Sequence, residues 1–280
     1  HFYCERCKKE YPVATHAYAC ECGGLFHLYQ TEMDEDSPHT AITLGETMTP
    51  LLPLSMDGMR FYLKMEDRQP TGSFKDRGAK RLIGELSYLG IERVVIDSSG
   101  NAGAAVAAYA AAAGIACRVY VPDDISQERV KQITAYGADV VRVPNGRMNA
   151  GSVARAELGS DYYASHVYNP LFADGVGGMA HEIYAQLGGA VPEYIFVPVG
   201  NGSLLLGLYH GFAKLGRLPH LIAVQSTKCA PVVEAFHHLP ETPRKSTIAE
   251  SIRVSAPPRL DELCTVLQRS RGDAIAVEDS

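Results

Sequence analysis

The chain has 280 residues, 26 Lys and Arg against 32 Asp and Glu, a net charge of −6, and 46% hydrophobic residues, enough to bury one large core or two smaller ones. No basic tract suggests nucleic acid, no run approaches the roughly 20 apolar residues that span a bilayer, and no secretory signal opens the chain, so a cytoplasmic protein is expected. Its seven cysteines, an odd number, fit a reducing compartment better than a disulfide framework.

Four of those cysteines stand at the front, Cys4 and Cys7 in Cys-Glu-Arg-Cys, then Cys20 and Cys22 in Cys-Glu-Cys-Gly-Gly. Thiolates paired on two short knuckles can close a tetrahedral zinc site, and a segment this small has no core of its own to hold it folded. Structural zinc is therefore expected within residues 1–36. An empty, degenerate ribbon is the alternative, because the second pair is separated by one residue instead of two. Four protein ligands leave no open position for catalysis. His16, His27 and His39 read as surface residues, and the acidic, turn-prone stretch 32–38 reads as the joint to a body spanning 37–280.

From there, short continuous apolar runs at 61–63, 94–96, 117–121, 140–143, 195–199, 221–224 and 274–277 read as buried parallel strands. Helical stretches separate most of them, each closed by a glycine at 90, 114, 137, 188 or 216 in the left-handed position that turns the chain back. The alternation predicts an α/β architecture of parallel sheets flanked by helices. In such folds binding loops gather at the carboxyl ends of strands.

Three loops carry chemistry. Pro70-Thr71-Gly72-Ser73-Phe74-Lys75-Asp76-Arg77-Gly78 turns directly into a helical pattern and fixes the direction of Lys75; its bland reading is a helix start with Ser73 as N-cap and Asp76 in the first turn. Ser98-Ser99-Gly100-Asn101-Ala102-Gly103 lies between an apolar run and an alanine-rich helix, and Gly200-Asn201-Gly202-Ser203 repeats the design before the helical segment that begins at Leu204. Both place free N–H groups and the positive end of a helix dipole where an anion can rest. Asn101 beside glycine also suits a plain Asx turn.

With these motifs the chain resembles fold-type II pyridoxal-phosphate (PLP) enzymes, the tryptophan synthase β-like two-lobed architecture, and most of all threonine synthases. The likeness runs from the N-terminal cysteines to the last residues. It implies that Lys75 carries PLP as a Schiff base and then acts as general base. It also implies that Asn101 bonds the cofactor's ring oxygen, that Ser98, Ser99, Gly100, Asn101 and Ala102 hold the substrate carboxylate, and that Gly200, Asn201, Gly202, Ser203 and Leu204 grip the phosphate. Asp76 and Arg77 would support the loop. A small lobe at about 87–166 would close over an amino-acid substrate, and family members are commonly dimers, which extends to a homodimer here.

The implied activity is β- or γ-elimination or replacement on an amino acid by a PLP-dependent lyase or synthase. Threonine synthases offer an arginine after Asn-Pro and a lysine just past the next glycine; here those positions are Phe172 and Gly177. A desolvated phosphate needs cationic partners, so phosphohomoserine is in question, and serine, threonine or an O-acylserine fits this region about as well. His166, Arg147 or His181 would have to compensate. Asp279 and Ser280 look like an N-cap, and family members continue beyond this point with the hydroxyl that meets the pyridine nitrogen. The rivals are a non-catalytic PLP-binding relative and a dinucleotide dehydrogenase, whose third glycine would fall at Gly207, outside the usual spacing.

Overall fold

Phe2 and Phe26 bring the front of the chain together. β1 (Phe2–Cys4) pairs antiparallel with β2 (Glu10–Tyr11) and β3 (Phe26–Leu28), and the two buried rings lie stacked across it, 5.9 Å between centroids. The protein is described by a computed structural model over residues 1–29, 42–144 and 146–279. The joint at 32–38, the boundary after residue 36, His39, Ser280 and the Arg147 side chain lie outside the described residues. Two compact units divide the chain, residues 1–175 and 176–280.

In the first unit, β4 (Leu51–Met56) and β5 (Met59–Lys64) form an antiparallel hairpin with Met56 opposite Met59. This corrects the expectation of a buried parallel strand at 61–63. Asp57 and Gly58 both take positive φ, 50° and 78°, as a two-residue hairpin turn demands. The run therefore pairs with its neighbour in sequence, and Phe61, Tyr62 and Leu63 are all exposed.

The other apolar runs form parallel strands as expected, but not all are buried: Phe196 and Val277 are exposed. β6 (Arg93–Ile96), β7 (Ala116–Pro122), β8 (Asp139–Val143) and the short β9 (Tyr162–Tyr163) make a parallel sheet in the order β8-β7-β6-β9. Four helices alternate with them: α1 (Lys75–Tyr88), α2 (Asn101–Ala113), α3 (Gln127–Ala135) and α4 (Arg147–Ala156). Small residues let α2 run through the core with Ala102 to Ala110 all buried, packed against α1. Gly78 on α1 leaves room for the fully buried Phe172 ring of α5 (Pro170–Val176), which would lie 2.3 Å from a Cβ there.

In the second unit, β10 (Tyr194–Pro198), β11 (His220–Ser226) and β12 (Asp273–Val277) form a parallel sheet in that order. The helices are α6 (Gly178–Gln186), α7 (Ser203–Lys214), α8 (Pro231–Phe236) and α9 (Leu260–Arg269). On α9, Leu263, Val266 and Leu267 are buried at helical spacing, with Asp261 and Glu262 in the first turn and Arg269 in the last, where the helix dipole favours each sign. Asp279 accepts from Ser226, Thr247 and the Ile248 N–H and pairs with Lys228.

Glu46 fastens the segment before β4 to both α1 and α2. It pairs with Lys80 at 2.8 Å, accepts from the Thr43 hydroxyl and Leu44 N–H, and takes the buried Tyr109 hydroxyl. Burial alone would raise its carboxyl, but the donors outweigh burial and hold it at about 2, against an ordinary 4.5. A lowered carboxylate stabilises the fold fully above its unfolded value and loses that contribution as pH falls toward its folded one. Comparing denaturant unfolding of wild type and Glu46→Gln from pH 7 to 2 should show the wild-type advantage constant above about 5 and shrinking between about 4.5 and 2; an advantage independent of pH would refute the assignment.

Candidate active site

Lys75 is the first residue of α1. The loop before it is tied down by its own neighbour: Asp76 is fully buried, accepts the Thr71 N–H at 2.6 Å and takes the Thr71 hydroxyl as well. Burial pushes the Asp76 carboxyl upward, and the two Thr71 donors pull it back. Gly72, at φ 88°, donates to the Gln69 carbonyl at 2.8 Å and completes the turn. Arg77 grips Glu66 through two guanidinium nitrogens at 2.7 and 2.8 Å and reaches Thr49 with one of them, which fixes the helix start from the other side. Asp76 and Arg77 are thus structural supports, as expected. Ser73 accepts the Lys75 N–H at 3.3 Å, but Phe74 holds the cap position, one residue later than the bland reading places it. Lys75 is half-buried, with Nζ 3.9 Å from the centroid of the Phe74 ring.

The second loop leads into α2, the partner of α1. Ser98 is buried, and its carbonyl oxygen presses on Gly103, where a Cβ would stand 2.1 Å away. Only glycine permits that approach, and the loop doubles back tightly, with Ser99 and Gly100 half-buried and Asn101 exposed. Gly100 has nothing within 4 Å of the Cβ position. Asn101 is exposed and its amide bonds to none of the described residues, so no Asx turn forms. The N–H groups of Ser99, Asn101 and Ala102 likewise have no partner among the described residues.

In the second unit, Gly200, Asn201, Gly202, Ser203 and Leu204 follow β10 and open α7. Gly202 has φ 89°, a conformation strained for other residues, and a Cβ on it would strike Leu263 of α9 at 2.2 Å. Gln225 braces the loop's entry: its amide donates to the Val199 carbonyl at 2.9 Å while its oxygen accepts from Val232 and Val233 N–H. This brace joins residues far apart in sequence and was not foreseen. Gly200 and Gly202 are buried, and the N–H groups of Gly200, Asn201, Gly202 and Leu204 have no partner among the described residues. Buried N–H groups left without acceptors are rare, and together at a helix N-terminus they fit a phosphate.

The four front cysteines converge. The Sγ atoms of Cys4, Cys7, Cys20 and Cys22 all lie within 4.8 Å of one another, with Cys4 to Cys22 at 3.5 Å and Cys7 to Cys20 at 3.4 Å. Tetrahedral zinc with Zn–S near 2.3 Å separates sulfurs by about 3.8 Å, so the cluster fits the ion. Gly24 belongs to the knuckle, since a Cβ there would stand 2.5 Å from the Cys4 sulfur. His27 pairs with Glu5 and His16 contacts the Asp161 carbonyl, so neither joins the sulfurs.

Residues 42–280 match the model of pyridoxal-phosphate dependent enzymes. The chain belongs to this family. It is a PLP-dependent enzyme, with the lyase or synthase chemistry that the resemblance implies. The threonine synthase of Methanocaldococcus jannaschii is 30% identical over 99% of the chain and 78% of the relative, and that of Synechocystis sp. is 31% identical over 96% and 73%. The solved threonine deaminase of T.th. superposes with a TM-score of 0.72 at 28% identity, over 83% of this chain and 77% of that one. The dinucleotide rival is set aside by the family match. Among the described residues no helix is long and apolar enough to cross a membrane.

The two glycines of the second loop should respond differently to one methyl group. Gly103→Ala must displace the Ser98 backbone and should cost about 1–3 kcal/mol in urea unfolding, whereas Gly100→Ala should stay within about 0.5 kcal/mol. Equal costs would contradict the tight return at Ser98.

Proposed function

We propose that this PLP enzyme acts on a small amino acid of the serine and threonine class, or an O-acylserine, through Lys75. The observation that carries the proposal is Phe172. It stands where the resembling threonine synthases have a cation, yet its ring is fully buried against Gly78 and edge-on to His166, so it belongs to the core of its unit. Gly177, at the second such position, has no side chain to offer. The 28% identity to a threonine deaminase favours the same substrate class.

When bound, PLP supplies an electron sink for the pair released at the substrate Cα. Lys75 Nζ would hold the cofactor's aldehyde, and its amine, once free, would accept the substrate Cα proton and could return it to the departing hydroxide or carboxylate. Ser98, Ser99, Gly100, Asn101 and Ala102 orient the substrate carboxylate, with Asn101 also donating to the ring oxygen. The N–H groups of Gly200, Asn201, Gly202, Ser203 and Leu204 hold the phosphate. Charge-assisted bonds of about 1.5–3 kcal/mol each outweigh the roughly 0.3–1 kcal/mol of the helix dipole, so the amides dominate that grip. We further assign zinc to Cys4, Cys7, Cys20 and Cys22, checked by metal analysis of the purified protein. Residues 1–36 are its ribbon, 37–280 the catalytic body with a closing lobe at about 87–166, and the working form is a homodimer.

Steady-state assays on one enzyme preparation decide the substrate. Losing two cationic partners for a phosphate corresponds to about 10²–10⁴-fold in kcat/KM, so serine, threonine or O-acetylserine should exceed phosphohomoserine by that order. Saturable release of threonine and inorganic phosphate from phosphohomoserine, at comparable efficiency, would overturn the proposal.

A further inference from the structure

Asp97 immediately precedes the Ser98 loop, and its side chain does not face solvent alone. Tyr163 of β9 donates to Asp97 Oδ1 at 2.6 Å, and Gly151 of α4 admits Oδ2, which would lie 2.6 Å from a Cβ there. Burial first, then the Asp97 charge, pushes the Tyr163 phenol upward, so it stays protonated and remains the donor. Arg155 of α4 contacts the same phenol oxygen at 3.5 Å.

The far side of Arg155 meets the cysteine segment. Tyr18, two residues before Cys20, stands edge-on to Tyr163 and Tyr168 with centroids 5.7 and 5.4 Å apart. The Arg155 guanidinium carbon lies 5.6 Å from the Tyr18 ring centroid and 5.7 Å from that of Tyr168, within cation–π range of both. A second tie runs beside it: Tyr162 donates to the Val13 carbonyl at 3.1 Å and accepts from Asn169 at 2.9 Å. The segment carrying the four sulfurs is thereby keyed into the side chains that hold Asp97.

We propose that Tyr18, Arg155 and Tyr163 are positioning residues that couple the four-cysteine segment to the Ser98–Ala102 loop, by holding Asp97 so that the following N–H groups keep their direction. The ribbon then acts on substrate binding without touching substrate. Filling or emptying the sulfur cluster would be felt at Asp97 through the seating of Tyr18. The significance of the loop rests on the proposed function above, but the coupling does not, and it can be read without any substrate.

Hydrogen–deuterium exchange on the purified PLP-bound enzyme gives that reading, peptide by peptide. Tyr18→Ala and Tyr163→Phe should each raise exchange in peptides covering 97–104 by about tenfold, a local opening change of about 1.4 kcal/mol, while peptides covering 200–208 keep their wild-type rates. Tyr18→Phe keeps the ring and should restore the wild-type pattern. The double variant Tyr18→Ala with Tyr163→Phe should exchange no faster at 97–104 than the faster single, because both break one chain of contacts. Tyr163→Phe is nearly isosteric and keeps the test valid if Tyr18→Ala fails to fold. Wild-type exchange at 97–104 in Tyr163→Phe, or a uniform rise across the whole protein, would overturn the coupling. Failure of the serine-class assays would leave these rates untouched and so points to the functional reading instead.

Discussion

The buried carboxylate of Asp76 is the constraint on which the placing of Lys75 depends. A fully buried acid is costly unless donors meet it, and both of its oxygens are met by Thr71, five residues back across the loop. That closure sets where α1 begins and makes Lys75 its first residue. Arg77 and Glu66 hold the opposite flank, so the lysine leaves a backbone fixed on both sides while its own stem stays half-buried beside Phe74. A nucleophilic amine needs this kind of fixed base more than it needs a special partner, since its reach to an aldehyde carbon is set by the backbone that bears it.

The two glycine loops solve a related problem with opposite means. In the first, Gly103 lets the chain fold back on the Ser98 carbonyl, and the alanines after it let α2 sink into the core. In the second, Gly202 takes a left-handed conformation beneath Leu263, and Gln225 bonds the strand end that feeds the loop. Each leaves a row of N–H groups without acceptors among the described residues at a helix start. An anionic ligand is the natural complement to such rows, which is why the family match and the geometry agree on a phosphate-bearing cofactor.

All three loops were legible in the sequence because their chemistry is local: glycine, serine and asparagine at turns, with the lysine placed by its immediate neighbours. The parallel strands of both sheets and the glycines that close the helices were legible for the same reason, and Gly90, Gly114, Gly137, Gly188 and Gly216 all take positive φ. The run at 61–63 misled because a continuous apolar stretch looks alike in a buried parallel strand and in an exposed hairpin. Asp57-Gly58 carried the deciding signal. β9 is only two residues long, and the bonds from Gln225 to Val199, from Tyr163 to Asp97 and from Tyr109 to Glu46 join positions 26, 66 and 63 residues apart, beyond any reading of neighbouring residues.

The cysteine segment adds a further level of organisation, since its aromatic residues lodge among those of β9 and α4 within one unit. It gives the Ser98 loop a structural neighbour that carries the four sulfurs. All of this matters to the reaction only if the amine at the start of α1 is the one that carries the cofactor. Borohydride reduction of the enzyme as purified, followed by peptide mass spectrometry, tests that directly. The account predicts a reduced phosphopyridoxyl group on the peptide containing Lys75, and a label on Lys80, Lys64 or another lysine, or on none, would contradict it.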